Sequence, residues 1–272
     1  ALLAGHQIDF FTGHARMLRD RIARALPAWS QGMPGYHALL GMHAFGLEET
    51  GDYASAEASG RAAIEIEPRD GWAQHAVAHV MEMQGRQREG IGWLAETRSQ
   101  WDRGHGTATH FWWHLALFHL DLNEVSSALG IYDTHIGARP GMSLSSLADA
   151  SALLWRLPLR GRSLGGRWRE LAGHWAARRL SAYCPFYDVH AMVAFVGAGD
   201  SAHIAESLRV LRDRATGDEP GAQRIRDISL PIAEAFTAFG RGDYGAAIDG
   251  LDRIRAIGQL GGSHAQRDAI HL

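Results

Sequence analysis

The sequence predicts an all-α protein built from stacked helical hairpins, with one core running along the array. Apolar residues recur at helical spacing along most of the 272 residues. No segment keeps the two-residue alternation of a half-buried strand, and runs of β-branched residues are few. Short Gly-Asp turns separate neighbouring helical segments. We therefore expect an α-solenoid, whose hairpins bury their apolar faces only by stacking on one another.

The first hairpin is predicted on either side of the turn Gly51-Asp52-Tyr53. A second helical stretch follows this turn and ends before Pro68, and the same tripeptide returns at Gly242-Asp243-Tyr244. The order of turn, alanines and proline resembles the tetratricopeptide repeat, whose period is about 34 residues. We expect a single repeat array over 1–272, with its clearest repeats at 37–70, 71–104, 109–142 and 228–261.

Composition excludes several classes of protein. The net charge of -3 argues against a nucleic-acid binder that neutralises phosphates. No apolar run approaches the ~20 residues that cross a bilayer, so no membrane partner is expected. The single cysteine, Cys184, excludes an internal disulfide and favours a reducing, cytoplasmic location. All 27 basic residues are arginine, which favours a bacterial, GC-rich genome and excludes chemistry that needs a lysine amine.

Polar side chains are predicted along one face of three neighbouring first helices. His75 and His79 are one helical turn apart, and His110 and His114 repeat this spacing on the next first helix. In the tetratricopeptide pattern these positions line the concave surface. His190, near Cys184, and His264, four residues before Asp268, are further candidates. The predicted ligand-binding residues are Phe45, Glu48, Glu49, His75, His79, Glu82, His110, Trp113, His114, Asp121, His190 and His264.

Three roles are open for the paired histidines. Imidazoles at i,i+4 can bind one metal ion together, which makes His75, His79, His110 and His114 the candidate metal ligands and a divalent metal the candidate cofactor. Imidazole also transfers protons near neutral pH. The structural alternative is that each ring hydrogen-bonds to a carboxylate or carbonyl of the next helix. Two roles are also open for Trp113, which could pack between adjacent helices or stack on a ligand. No catalytic residue is assigned.

Several segments resemble the tetratricopeptide repeat protein 38 family, in the family's order and over nearly the whole chain. The resemblance implies an α-helical tetratricopeptide-like array that continues beyond both ends of the chain; it implies no reaction. The matching segments are AFGLEE at 44–49, WAQHAVAHVMEMQGR at 72–86, WHLALFHL at 113–120, LLWRL at 153–157, DVHAM at 188–192 and GGSHAQRD at 261–268.

Two functions follow from these residues. Repeats of this kind usually bind rather than catalyse, so we expect a small molecule or peptide in a concave groove lined by His, Trp and acidic residues. The alternative is a His/carboxylate enzyme, metal-dependent in one version, that uses the same pocket, because clustered imidazoles and carboxylates are costly to bury unless they are partnered. The oligomeric state and the curvature of the array are open.

Overall fold

The computed structural model describes residues 1–102, 107–137, 139–158, 161, 163–178, 182 and 184–270. Within these ranges the protein is all-helical and contains no β-strand, as the sequence predicts. None of the described helices combines the length and hydropathy that crossing a bilayer requires. The contacts between Cα atoms divide the chain into two compact units. Unit 1 comprises Ala1–His135 with Ser263–Ala265, and unit 2 comprises Ile136–Gly262 with Gln266–Leu272.

Unit 1 contains helical segments that pack mainly on their neighbours along the chain. The second helix of each predicted hairpin lies against the first. The helix Tyr36–Glu48 also packs on the helix Gly71–Met83, which in turn packs on Ala108–Asp121. The helices are α1 (Leu2–Phe11), α2 (Ala15–Ala25), α3 (Tyr36–Glu48), α4 (Tyr53–Ile66), α5 (Gly71–Met83), α6 (Gln87–Glu96), α7 (Arg98–Trp101), α8 (Ala108–Asp121) and α9 (Val125–Ile131).

Unit 2 is also helical. Its helix Pro185–Ala198 packs on the helices Leu144–Arg156, Arg167–Ala176 and Leu230–Gly240. Its helices are α10 (Leu144–Arg156), α11 (Arg167–Ala176), α12 (Pro185–Ala198), α13 (Ser201–Ala215), α14 (Pro220–Arg224), α15 (Leu230–Gly240) and α16 (Tyr244–Asp252). A last short helix, α17 (His264–Arg267), begins in unit 1 and ends in unit 2. The predicted repeats 71–104 and 109–142 each include residues outside the described ranges. A single array over 1–272 stays a prediction.

The Gly-Asp turns end one helix and begin the next, as their chemistry predicts. Gly51 adopts a φ of 85°, in the left-handed region that favours glycine. Asp52 then caps α4, because its side chain accepts a hydrogen bond from the backbone N–H of Ser55. Asp243 caps α16 in the same way through the N–H of Ala246. Both turns therefore reverse the chain without leaving the first amides of the following helix unsatisfied.

Small residues let α5 approach α3 and α4 closely. A Cβ added at Gly41 would lie 3.2 Å from the backbone nitrogen of Ala73, and one at Gly60 would lie 2.7 Å from a methyl group of Val77. Val77, Ala78 and Met81 are fully buried, as the helical periodicity predicts for the core face of α5. This packing fixes the rotation of α5 about its axis and thereby sets where its histidines point.

Candidate metal centre

Two helices of unit 1 each supply a pair of histidines. α5 begins after Asp70, whose side chain accepts a hydrogen bond from the N–H of Ala73, and it carries His75 and His79. α8 carries His110 and His114 at the same spacing. Residues four apart lie on one face of a helix. Because α5 and α8 pack against each other, the two pairs meet between them.

The four imidazoles converge on one point. His75 Nε2 lies 2.9 Å from His79 Nε2, 2.9 Å from His110 Nε2 and 3.1 Å from His114 Nε2. One ring nitrogen from each of the four lies within 4.8 Å of the others. An imidazole nitrogen carries either one proton or one lone pair, so His75 Nε2 cannot make three hydrogen bonds at once. Hydrogen bonding alone therefore does not account for this arrangement.

A metal ion bound by all four rings would account for it. Zinc binds histidine nitrogen at about 2.0–2.1 Å, which places the nitrogens of a tetrahedral site about 3.3–3.4 Å apart. The contacts to His75 Nε2, at 2.9–3.1 Å, come close to this spacing. The donor set is four imidazoles, and imidazole suits zinc, copper, iron and nickel.

Burial keeps His75 in the form that binds metal. His79 and His114 are fully buried, His75 is 8% exposed and His110 is half-buried. Burial, and then the neighbouring imidazoles, hold the pKa of His75 well below its ordinary value. A neutral imidazole presents a lone pair, which a metal ligand requires.

Carboxylates lie behind two of the rings. Glu82 Oε2 is 2.5 Å from His114 Nδ1, and Glu48 Oε2 is 3.8 Å from His79 Nδ1. Because a carboxylate only accepts, His114 Nδ1 carries the proton and its Nε2 offers a lone pair to the centre. Carboxylates on the far nitrogen are usual for metal-bound histidine, since they orient the ring and increase its basicity. Two carboxylates also balance the charge of a divalent ion held by neutral ligands.

Aromatic rings fix the orientation of the histidines. Phe45 on α3 stacks on His75, with ring centroids 5.5 Å apart and an angle of 21° between the ring planes. Trp113, fully buried, stacks on His110 at 5.2 Å and 10°. Trp113 therefore packs against a candidate ligand. The sequence reading missed Trp72, which lies 5.6 Å from His75, although its position three residues before His75 places it on the same helical face.

The remaining predicted residues are not among the four convergent rings. Asp121 is exposed at the last turn of α8. His190 belongs to unit 2, where its Nδ1 hydrogen-bonds to the carbonyl oxygen of Phe186 at 2.7 Å. Burial lowers the pKa of His190 to about 4. His190 is thus a buried, hydrogen-bonded histidine, and neither it nor Asp121 belongs to the group of four clustered histidines.

Glu49 and His264 meet at the edge of this region. Glu49 Oε1 accepts a hydrogen bond from the backbone N–H of His264 at 2.9 Å, across 215 positions of sequence. Both residues belong to unit 1. Glu48, which faces His79, is next to them on α3.

No protein-family model matches the chain, and no solved structure matches it. The resemblance to the tetratricopeptide repeat protein 38 family therefore stays a prediction, and the candidate site rests on its own geometry.

Proposed function

We propose that this protein binds one divalent transition-metal ion, with zinc the preferred ion, through His75, His79, His110 and His114. The observation that supports this most directly is the environment of His75 Nε2, which has three other imidazole nitrogens within 2.9–3.1 Å. Four imidazoles with the carboxylates of Glu48 and Glu82 behind them form a ligand set that suits a dication.

The proposed ion joins two helices. His75 and His79 belong to α5, the first helix of one predicted repeat, and His110 and His114 belong to α8, the first helix of the next. Four protein ligands complete a tetrahedral zinc site and leave no position for a substrate, which is the usual arrangement of structural zinc. We therefore propose that the ion stabilises the packing of α5 against α8.

The scaffold around this centre is proposed to be a tetratricopeptide-like solenoid. The pairing of α3 with α4 and of α8 with α9, and the capped Gly-Asp turn, support this arrangement. Binding of a small molecule or peptide in a concave groove stays a prediction, as does resemblance to the tetratricopeptide repeat protein 38 family. A cytoplasmic location and a bacterial origin remain proposals from the composition, which has one cysteine and no lysine.

One observation favours the alternative of a metal-dependent enzyme. His110 is the most exposed of the four histidines, and it is the ligand that a substrate or water would replace most easily. The cobalt-substituted protein separates the two roles. An intense visible spectrum that small anions leave unchanged is expected for the four-histidine site. A weak spectrum that changes with added anions indicates an open coordination position and favours the enzyme.

Metal content tests the proposal. Protein purified without a chelator or an affinity tag should contain about one equivalent of zinc, and a His75→Ala/His79→Ala double variant should contain none. His119→Ala is the matched control, because His119 is also on α8 but its Nδ1 lies 2.6 Å from Glu124 rather than at the centre. Absence of bound metal from the parent protein, together with a melting temperature that divalent ions leave unchanged, would rule the proposal out.

A further inference from the structure

A second group of metal-ligating side chains lies in unit 1, apart from the four histidines. Glu48 and Glu49 end α3, and His264 is brought to them from a distant part of the sequence. One carboxylate oxygen from each glutamate and one ring nitrogen of His264 all lie within 4.8 Å of one another. The cluster therefore offers two oxygen ligands and one nitrogen ligand around a single point.

Burial makes this cluster unusual. Glu48 is fully buried, and Glu49 is 5% exposed. Two adjacent carboxylates in a region of low dielectric repel each other, and a cation between them offsets the free energy of their burial. The Nδ1 atom of His264 is buried and has no hydrogen-bond partner among the described residues, which leaves this ring nitrogen for a ligand.

The backbone also prepares this cluster. The N–H of His264 donates to Glu49 Oε1, which holds the glutamate in place and brings the imidazole next to both carboxylates. Glu48 and Glu49 are placed by the end of α3, and His264 is placed by the segment Ser263–Ala265. A site positioned in this way needs little reorganisation when an ion binds.

We infer that Glu48, Glu49 and His264 form a second cation site, which takes a harder divalent ion of the Mn²⁺ class. Carboxylate oxygens suit Mg²⁺ and Mn²⁺, whereas imidazole suits the later transition metals. A ligand set of two oxygens and one nitrogen lies between these preferences, and water completes the coordination of the ion. The all-nitrogen centre selects zinc instead, so the two sites hold different ions.

Glu48 connects the two sites. Its Oε2 lies 3.8 Å from His79 Nδ1, and the Nε2 of that ring belongs to the four-histidine centre. The carboxylate of Glu48 thus stands between the second site and a ligand of the first. The inference extends the proposed function, but it does not require zinc in the first site, because none of its three ligands is one of the four histidines.

Manganese binding tests the inference. The full chain, loaded with zinc, is titrated with Mn²⁺, and free Mn²⁺ is counted by its electron paramagnetic resonance signal. We expect about one equivalent of Mn²⁺ to bind. Glu49→Gln and His264→Ala should each weaken this binding tenfold or more, while zinc content and melting temperature in the zinc-loaded state stay close to those of the parent. His203→Ala is the matched control, because His203 pairs with Asp200 in unit 2.

The outcomes separate the two claims. Failure of the parent protein to bind Mn²⁺, or equal affinity in the parent and both variants, overturns the second site. The parent protein could hold no zinc and still bind Mn²⁺, with this binding lost in Glu49→Gln and His264→Ala. That result supports the second site, although the four-histidine proposal has then failed. If one equivalent of zinc displaces the bound Mn²⁺ and the protein then binds no second metal ion, the claim of two sites is overturned.

Discussion

Replacing His75 by alanine should make the stability of the protein independent of zinc. His75 Nε2 lies within 3.1 Å of the other three ligand nitrogens, so its loss leaves three imidazoles for the proposed ion. Three remaining ligands bind zinc more weakly than four. Zinc should therefore stabilise the parent protein. The same zinc concentration should not stabilise the His75→Ala variant.

The magnitude follows from binding linkage. A ligand that binds only the folded state stabilises it by about 4 kcal/mol at a free concentration 1,000 times its Kd. For a domain of about 150–250 residues, each kcal/mol changes the melting temperature by about 2–4 °C. Zinc should then raise the melting temperature of the parent by about 8–16 °C.

Thermal unfolding, followed by circular dichroism with excess chelator and with excess zinc, measures this difference. The parent should show the full zinc-dependent rise, and His75→Ala only a small fraction of it. His119→Ala should keep the whole rise, because His119 lies 2.6 Å from Glu124 and takes no part in the cluster. This control separates loss of a ligand from loss of any histidine on α8.

The result that would refute this reasoning is a constant destabilisation. If His75→Ala lowered the melting temperature by the same amount with chelator and with zinc, the four rings would act as a hydrogen-bonded network rather than as ligands. Removal of one member of such a network costs about 1–3 kcal/mol whatever the metal concentration.

Three further predictions concern backbone and charge. Gly51→Val should lower the free energy of unfolding by about 1–2 kcal/mol in chemical denaturation, because Gly51 has a φ of 85°, whereas Gly51→Asn should cost less. Gly46→Ala should destabilise the folded protein by about 1–3 kcal/mol, since the added Cβ would lie 2.6 Å from the Cα of Arg19. Gly92 has open space around it, so Gly92→Ala should stabilise the protein slightly. Equal effects of the two substitutions on the free energy of unfolding would contradict this packing. Burial raises the pKa of Asp188 to about 7, so between about pH 4 and 7 the folded state keeps a proton that the unfolded state has lost. The contribution of Asp188 to stability should fall as pH rises through that range, by at most about 4 kcal/mol, and Asp188→Asn should remove this fall; parallel stability–pH curves for the two proteins would count against it.

Most of the helical organisation follows from local sequence. The Gly-Asp turns specify where α3 ends and α4 begins, since glycine supplies the left-handed conformation and aspartate caps the next helix. The helical periodicity of α5 predicts the core positions Val77, Ala78 and Met81, but residues 73–81 are buried on every side, which periodicity does not predict. The division of contacts into two units was not predicted, because it depends on pairs of residues far apart in sequence.

The candidate site was predictable in part. The i,i+4 spacing of histidines on two successive first helices placed four rings on matching faces, and three of these rings are buried. His119 shows the limit of this reasoning. Helical periodicity alone would place it on the core side of α8, but its side chain is 19% exposed and pairs with Glu124, a partner beyond the end of α8.

What the sequence by itself determined is the all-α class, the Gly-Asp turns and the helix faces that carry imidazole, because each depends on residues within a few positions of one another. Only the tertiary structure decided that three Nε2 atoms lie about 3 Å from that of His75, that Glu82 supports His114, and that His264 joins Glu48 and Glu49. These distances depend on how α3, α5 and α8 pack and on where a distant segment returns. Metal chemistry depends on such distances to within a few tenths of an ångström.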